Sequence, residues 1–285
     1  MNLFFRFNRT RTMIPSRNIK EPVFTLSDTL TAEQLDYYET HGYIHFKNFL
    51  NADTVPVIIK ALEDVQEQWI AEEREKVNGV PIKYGTDLNG KKIVQRFAFA
   101  SLFNPVLHEV LKDPRLKALF PLLQADGERI GEYEKDGLVV NHYINSETSR
   151  FTQMGWHTDC LRDVFYGKRI MPMLNVGIHL DNYDPRNGGL RIIPGTHKQD
   201  LFNLLFRKKY YLSHKADPDE IGLKITAGDL TVHDGRSWHR VERSPLIGEA
   251  SRRRVMYIPM ISGEYQPKDE NSSTQFYQRL SKLVR

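Results

Sequence analysis

The sequence has little of several things that would place it in a specialised class. Cys160 is the single cysteine among 285 residues, so no disulfide can form within the chain, which excludes a small secreted fold held by disulfides. No apolar run approaches the roughly 20 residues that a membrane-spanning helix needs. Neither sign of charge dominates, because 40 basic and 36 acidic side chains give a net charge of only +4. This balance does not indicate nucleic acid binding. We therefore expect a cytoplasmic protein with no membrane or nucleic acid partner, and the mild positive charge fits a preference for anionic small molecules.

The N-terminal segment differs in composition from the rest of the chain. Its first twenty residues carry five basic and no acidic side chains. A targeting peptide could look like this, and so could a flexible basic arm, which is the interpretation we favour. No other composition break marks a linker. We predict a basic extension over residues 1–22 and a single domain over 23–285.

Residues 30–125 are predicted to be mainly helical. Thr31 and Gln34 stand at capping-box spacing, and Gly42 is placed to end the first helix. A short strand is expected in "HGYIHFKNFL". A second helix is expected from about residue 53 to the Asn78-Gly79 turn, because apolar residues form one stripe at helical spacing: Ile58, Leu62, Val65 and Trp69. Residues 104–123 indicate a further helical pair interrupted by a proline.

The hydrophobic pattern of the sequence changes from about residue 130. From there on, short apolar or alternating runs are separated by residues typical of turns. These runs cover residues 137–144, 173–180, 190–197, 229–234 and 254–261. The spacing predicts a mainly β domain with flanking helices, in which a jelly roll spans about 130–262 and a C-terminal tail follows over 263–285. The long polar segment 198–221 is expected to form a lid or binding loop.

The stretch "MGWHTDC" places His157 and Asp159 on alternate positions. On a strand, alternate side chains point to the same face. An imidazole and a carboxylate aimed at one point can bind a metal, and a second histidine would complete the 2-His-1-carboxylate triad of non-haem iron oxygenases. The pair alone is common and also fits a surface turn.

The third ligand has to come from another histidine. Four candidates lie on or near predicted strands or loops: His142, His179, His197 and His214. Better placed are His233 and His239 in "AGDLTVHDGRSWH", because in a jelly roll the returning strand can lie beside the strand that carries the H-x-D pair.

Four segments in this order resemble the phytanoyl-CoA dioxygenase family: "WHTD", "NGGLRIIPGTHK", "GDLTVHDGRSWH" and "RRRVMYIP". Residues 30–50 also look like the helix and strand with which the family's domain begins. The resemblance covers roughly residues 30–262. It implies a double-stranded β-helix, cupin-like fold and an oxygenase that depends on Fe(II), 2-oxoglutarate and O2.

Carried over residue by residue, the family pattern implies that His157 and Asp159 are the first two iron ligands. His239 matches the third ligand, with His233 as the runner-up. Such a triad leaves three coordination positions open, enough for a bidentate co-substrate and dioxygen.

The resemblance also implies an arginine that binds the far carboxylate of 2-oxoglutarate. Arg253 fits the pattern, although it lies 14 residues beyond His239, more than is usual. Strand alternation lets either Arg253, or Arg252 and Arg254 together, face inward. Three further residues are candidates for the co-substrate pocket: Asn141, Tyr143 and Trp156.

The expected reaction is hydroxylation of an aliphatic C–H of a small molecule, with 2-oxoglutarate converted to succinate and CO2. A halogenase on the same fold lacks the carboxylate ligand, so Asp159 argues against it. Two more functions compete with hydroxylation. One is a binding module on the same fold without catalysis, and the other is a nucleic acid demethylase with the same cofactors.

Overall fold

The protein is described by a computed structural model that covers residues 22–147, 149, 151–165 and 169–275. Residues 1–21 of the predicted basic extension and the last ten residues of the predicted tail lie outside the described residues. No helix in the described ranges is both long and apolar enough to cross a membrane.

Helices precede and flank the strands. The α-helices are α1 Ala32–His41, α2 Thr54–Ala71, α3 Pro105–Val110, α4 Leu161–Phe165 and α5 Leu201–Phe206. Short 3-10 helices cover Ala100–Leu102, Pro114–Leu123, Pro185–Asn187 and Thr196–Lys198. The strands are β1 Tyr43–Phe46, β2 Lys76–Val77, β3 Val80–Pro81, β4 Lys83–Thr86, β5 Lys92–Phe97, β6 Arg129–Ile130, β7 Val139–Asn145, β8 Met154–His157, β9 Met173–His179, β10 Gly189–Ile192, β11 Ile221–Gly222, β12 Leu230–Asp234, β13 His239–Glu242 and β14 Gly248–Ile261.

Two antiparallel sheets form the body of the domain. The larger has eight strands in the order β1-β12-β9-β14-β7-β5-β4, with β6 also paired to β14. The smaller has the order β11-β10-β13-β8. Side chains join the two layers: Arg253 of the large sheet donates to the Glu242 carbonyl of the small sheet, at 2.9 Å. This is the predicted jelly roll, and the mainly β fold class is confirmed.

The first two helices pack against the large sheet through the main hydrophobic core. Helix α1 has the predicted capping box, in which Thr31 and Gln34 exchange hydrogen bonds, and it ends at Gly42 with a left-handed φ of 74°. The predicted stripe of α2 is fully buried in the main hydrophobic core. In both helices the local sequence signals and the packing in the structure therefore indicate the same helix.

Two expectations for the N-terminal part are wrong. Helix α2 ends at Ala71, and the Asn78-Gly79 pair instead makes the tight turn between β2 and β3, with φ values of 47° and 77°. Asn-Gly favours this hairpin turn because both positions need positive φ. Strands β4 and β5 also lie within the region predicted to be helical, and β5 extends the large sheet by pairing with β7.

We predict that Trp69→Ala destabilises the protein by about 3–5 kcal/mol, the usual cost of emptying a large buried aromatic site. Trp69 is fully buried, and its ring lies 5.3 Å from Phe97 and 5.0 Å from Phe103. Val57→Ala on the exposed side of α2 is the matched control and should change the free energy of unfolding by less than about 0.5 kcal/mol. Urea unfolding followed by circular dichroism measures both. Equal, small effects would show that α2 is not anchored as described.

Candidate metal centre

Strand pairing brings the two outer histidines of the predicted triad together. His157 ends β8 and lies directly opposite His239, the first residue of β13, in the antiparallel register. Their ring centroids are 4.1 Å apart. Residues 82 positions apart in the sequence are thus neighbours because β13 returns beside β8.

Asp159 completes a compact group of ligand atoms just beyond the end of β8. One ligand atom from each of His157, Asp159 and His239 lies within 4.8 Å of the other two, and all three residues are buried. The Oδ2 atom of Asp159 is 3.6 Å from the Nε2 atom of His239. Two imidazoles and one carboxylate at this separation suit a divalent first-row metal.

Backbone carbonyls determine which imidazole nitrogen faces the site. The Nδ1 atom of His157 bonds the Gly155 carbonyl at 2.7 Å, and that of His239 bonds the Ser237 carbonyl at 3.0 Å. A carbonyl only accepts, so Nδ1 carries the proton in both rings. The Nε2 lone pairs are left free for a metal, which is the usual arrangement of ligating histidines.

The charges of the three groups also suit a cation. Burial lowers the pKa of His157 to about 4 and holds the pKa of His239 well below its ordinary value. Burial alone would raise the pKa of Asp159, but His233, His239 and Arg162 together hold it well below its usual range. At neutral pH the site therefore offers two neutral imidazoles and one carboxylate.

Two further side chains hold the Asp159 carboxylate. The Nδ2 atom of Asn175, on β9, donates to Oδ2 at 2.8 Å, and Arg162 lies 3.4 Å from Oδ1. Sequence reasoning missed both contacts. The available signal for Asn175 was an amide inside the otherwise apolar run "MLNVGI".

His233, the runner-up for the third ligand, lies beside the group of three and is not part of it. It is on β12, opposite Asn175 in the register with β9, and is 1% exposed. Its Nε2 atom is 3.6 Å from Oδ2 of Asp159.

Arg253 faces the interior between the sheets and its two neighbours face the other way. It pairs with Tyr143 of β7 and is 2% exposed. Among the described residues no carboxylate lies within ion-pair distance of its guanidinium, and its Nε atom has no hydrogen-bond partner. Arg252 instead pairs with a glutamate and Arg254 with an aspartate on the outer face, Glu249 and Asp181. A buried cation without a counter-charge is costly, so Arg253 has the properties of an anion-binding group.

Arg253 lies in a small pocket lined by residues of both sheets. Tyr143, Tyr183 and Tyr257 contribute aromatic walls. The Tyr143 hydroxyl and the Oδ1 atom of Asn141 are buried without a hydrogen-bond partner. Tyr183 and Tyr257 were not predicted, since nothing near them in the sequence indicates a pocket.

The expectation that Trp156 lines the site is wrong. Side chains alternate along β8, so Trp156 points to the face opposite His157. It is fully buried, packs with Ile193 and Trp238, and donates from Nε1 to the Lys215 carbonyl at 2.8 Å. It is a core residue of the small sheet.

Tyr211, from the predicted lid segment 198–221, places its aromatic ring against the triad. It stacks on His157 with ring centroids 4.7 Å apart and 20° between the planes. Its φ of 57° is left-handed, which is unusual for a residue with a side chain. Gly155 allows this approach, because a Cβ there would lie 2.3 Å from the Tyr211 carbonyl oxygen.

Comparison with known proteins links the chain to one family. The family model described as phytanoyl-CoA dioxygenase (PhyH) matches residues 38–244. Curated relatives named ectoine dioxygenase, from Bordetella bronchiseptica and Bordetella parapertussis, are each 21% identical over 224 residues. Each alignment covers 74% of this chain and 66% of the relative, so the chain spans slightly less than two thirds of their length.

Solved structures share the fold. The non-heme alpha ketoglutarate dependent carbocyclase SnoK from nogalamycin biosynthesis is 16% identical, with a TM-score of 0.61 and coverage of 91% of this chain and 93% of that one. HygX from Streptomyces hygroscopicus, crystallised with nickel and 2-oxoglutarate, is also 16% identical, with a TM-score of 0.58 and coverage of 84% and 89%.

We predict that the metal-free protein loses stability as the pH falls from about 6.5 to about 4. The pKa of His157 is about 4 in the folded state and about 6.5 in an unfolded chain, so only the unfolded chain binds a proton in this window. Thermal melts from pH 7.5 to pH 4 in the presence of a chelator measure the effect. His157→Gln should make the decline shallower; the same slope in both proteins would contradict the buried neutral imidazole.

Proposed function

The chain belongs to the phytanoyl-CoA dioxygenase family, and from this premise we propose that it is an Fe(II)- and 2-oxoglutarate-dependent dioxygenase that hydroxylates an aliphatic C–H of a small molecule. The observation that carries the proposal is the pairing of two features in one interior. A His-Asp-His group suits a divalent metal, and a buried arginine without a carboxylate partner suits an anionic co-substrate.

His157, Asp159 and His239 would hold the iron. With three positions left open, Fe(II) supplies the chemistry that couples O2 reduction to the conversion of 2-oxoglutarate into succinate and CO2. The protein's part is to present three prepared ligands. The carbonyls of Gly155 and Ser237 keep both imidazoles in the ligating tautomer.

Arg253 would bind the far carboxylate of 2-oxoglutarate. Its Nη1 atom is used by the Glu242 carbonyl, which leaves Nε without a partner at the cavity. The unpartnered Tyr143 hydroxyl belongs to the same pocket, and the Asn141 amide oxygen, two residues before it on β7, is also buried without a partner. Such a set fits a dicarboxylate better than an apolar ligand.

The reaction outcome is expected to be hydroxylation. Asp159 takes the position that a halide would need in a halogenase, and Asn175 holds its carboxylate in place. Small-molecule chemistry is supported by the curated relatives, which are named for ectoine, and by SnoK, which belongs to nogalamycin biosynthesis. A binding module without catalysis would not need the intact ligand set.

We predict that the wild-type protein binds one Fe(II) per chain in an anaerobic titration. His157→Ala and Asp159→Ala should each abolish stoichiometric binding, because an octahedral ion cannot replace a buried protein ligand with an apolar wall. His108→Ala is the matched control, since this histidine lies on α3 and bonds Glu132 away from the site. Unchanged iron stoichiometry in both ligand variants would overturn the assignment.

We predict that Arg253→Ala weakens 2-oxoglutarate binding by roughly 30-fold or more. Removing one partner of a buried charge pair costs on the order of 2–5 kcal/mol, at about 1.4 kcal/mol per factor of ten. Lysine should restore part of the loss, because it keeps the charge and loses the bidentate geometry. Succinate release against 2-oxoglutarate concentration measures the affinity. Arg252→Ala and Arg254→Ala serve as controls on the outer face; a larger loss in either would shift the anchor away from Arg253.

A further inference from the structure

His233 is a buried histidine whose two ring nitrogens both lack a hydrogen-bond partner. A neutral imidazole always carries one donor and one acceptor, and buried polar atoms are normally satisfied. Other buried histidines of the same sheet follow this rule: His179 bonds the Thr231 and Tyr183 hydroxyls, and His45 bonds Asp229. Among the described residues the Asp159 carboxylate is its polar neighbour, at 3.6 Å and so beyond hydrogen-bond distance, which leaves both nitrogens of His233 able to bind a further group.

The position of His233 indicates what that partner is. Its Nε2 atom lies 3.6 Å from Oδ2 of Asp159, and its ring centroid lies 4.4 Å from that of His239. The Asp159 oxygen already accepts from Asn175 at 2.8 Å. His233 thus borders the metal centre on the β12 side, close to two of the three ligands, while remaining outside the group of ligand atoms that lie within 4.8 Å of one another.

We propose that His233 is a positioning residue that donates a hydrogen bond to the metal-bound carboxylate of the 2-oxoglutarate co-substrate. The inference rests on the proposed function and goes beyond it. Arg253 would bind the far carboxylate of 2-oxoglutarate, whereas His233 is assigned to the carboxylate at the metal-binding end. A carboxylate that binds the metal through one oxygen keeps a second oxygen as a strong acceptor. A neutral N–H of His233, which lies close to Asp159 and His239, would satisfy that oxygen and one of the two unpartnered ring nitrogens.

The proposal predicts that loss of the His233 nitrogens weakens the affinity for 2-oxoglutarate and leaves the affinity for Fe(II) nearly unchanged. A residue with a purely structural role would change both affinities together. His233→Phe keeps an aromatic ring of similar size and removes both nitrogens. Its Fe(II) affinity without co-substrate should stay within about threefold of wild type, because His233 is not a ligand. Its 2-oxoglutarate affinity on the iron-loaded protein should fall roughly 10- to 100-fold, the loss expected for one hydrogen bond to a charged group.

The measurement is an anaerobic titration with Fe(II) alone, followed by 2-oxoglutarate titration read by the visible absorption of the iron–2-oxoglutarate chelate. His233→Gln should recover part of the co-substrate affinity, since its amide restores a donor. His233→Leu serves if the phenylalanine variant does not fold. His142→Phe is the matched control, because it removes a buried histidine from the outer face of the same sheet, where His142 contacts Arg252.

Three outcomes overturn the inference in different ways. Loss of Fe(II) binding in His233→Phe without co-substrate would make His233 a metal ligand. Unchanged affinity for both Fe(II) and 2-oxoglutarate, or equal losses in His142→Phe, would make it a packing residue. Failure of the wild-type protein to bind 2-oxoglutarate at all would instead refute the proposed function, and this inference with it.

Discussion

The pairing of β13 with β8 is the constraint on which the rest of the site depends. It sets His157 directly opposite His239, and the chain just beyond β8 adds Asp159. A slip of one residue in this register would turn one histidine to the other face of the sheet. The packing of Trp156 and Trp238 on the far side opposes such a slip, since both are fully buried. The hydrophobic core of the small sheet therefore holds the geometry of the polar centre.

The interior between the two sheets is polar where most protein cores are apolar. Among the described residues no carboxylate lies within ion-pair distance of Arg253, and the Tyr143 hydroxyl and both ring nitrogens of His233 have no hydrogen-bond partner. Each such group costs stability unless a ligand satisfies it. We infer that bound ligands satisfy these unpartnered polar groups. The metal and the co-substrate would then stabilise the fold when they bind. Asn175 and the two carbonyl-bonded imidazoles, by contrast, have their partners within the chain, and these fix orientation before any ligand arrives.

Features that depend on residue spacing within one helix or strand could be predicted from the sequence. The capping box of α1, the buried stripe of α2 and the alternation that turns Arg253 inward follow from periods of 3.6 and 2. The same alternation places Trp156 on the face opposite His157, in the core of the small sheet and away from the pocket. Asn175 and Tyr211 were missed for a different reason, since they reach the triad through β9 and the lid segment, which are distant in sequence. Strand β5 was missed because its pairing with β7 is also a long-range contact, and β4 joins the sheet through β5.

The most direct test of the account is anomalous diffraction from crystals grown with Mn(II) and 2-oxoglutarate under anaerobic conditions. The account predicts one anomalous peak bound by Nε2 of His157, a carboxylate oxygen of Asp159 and Nε2 of His239. It also predicts that the far carboxylate of 2-oxoglutarate lies on the Arg253 guanidinium. A peak elsewhere in the molecule, or a co-substrate bound with Arg253 still unpaired, would contradict it.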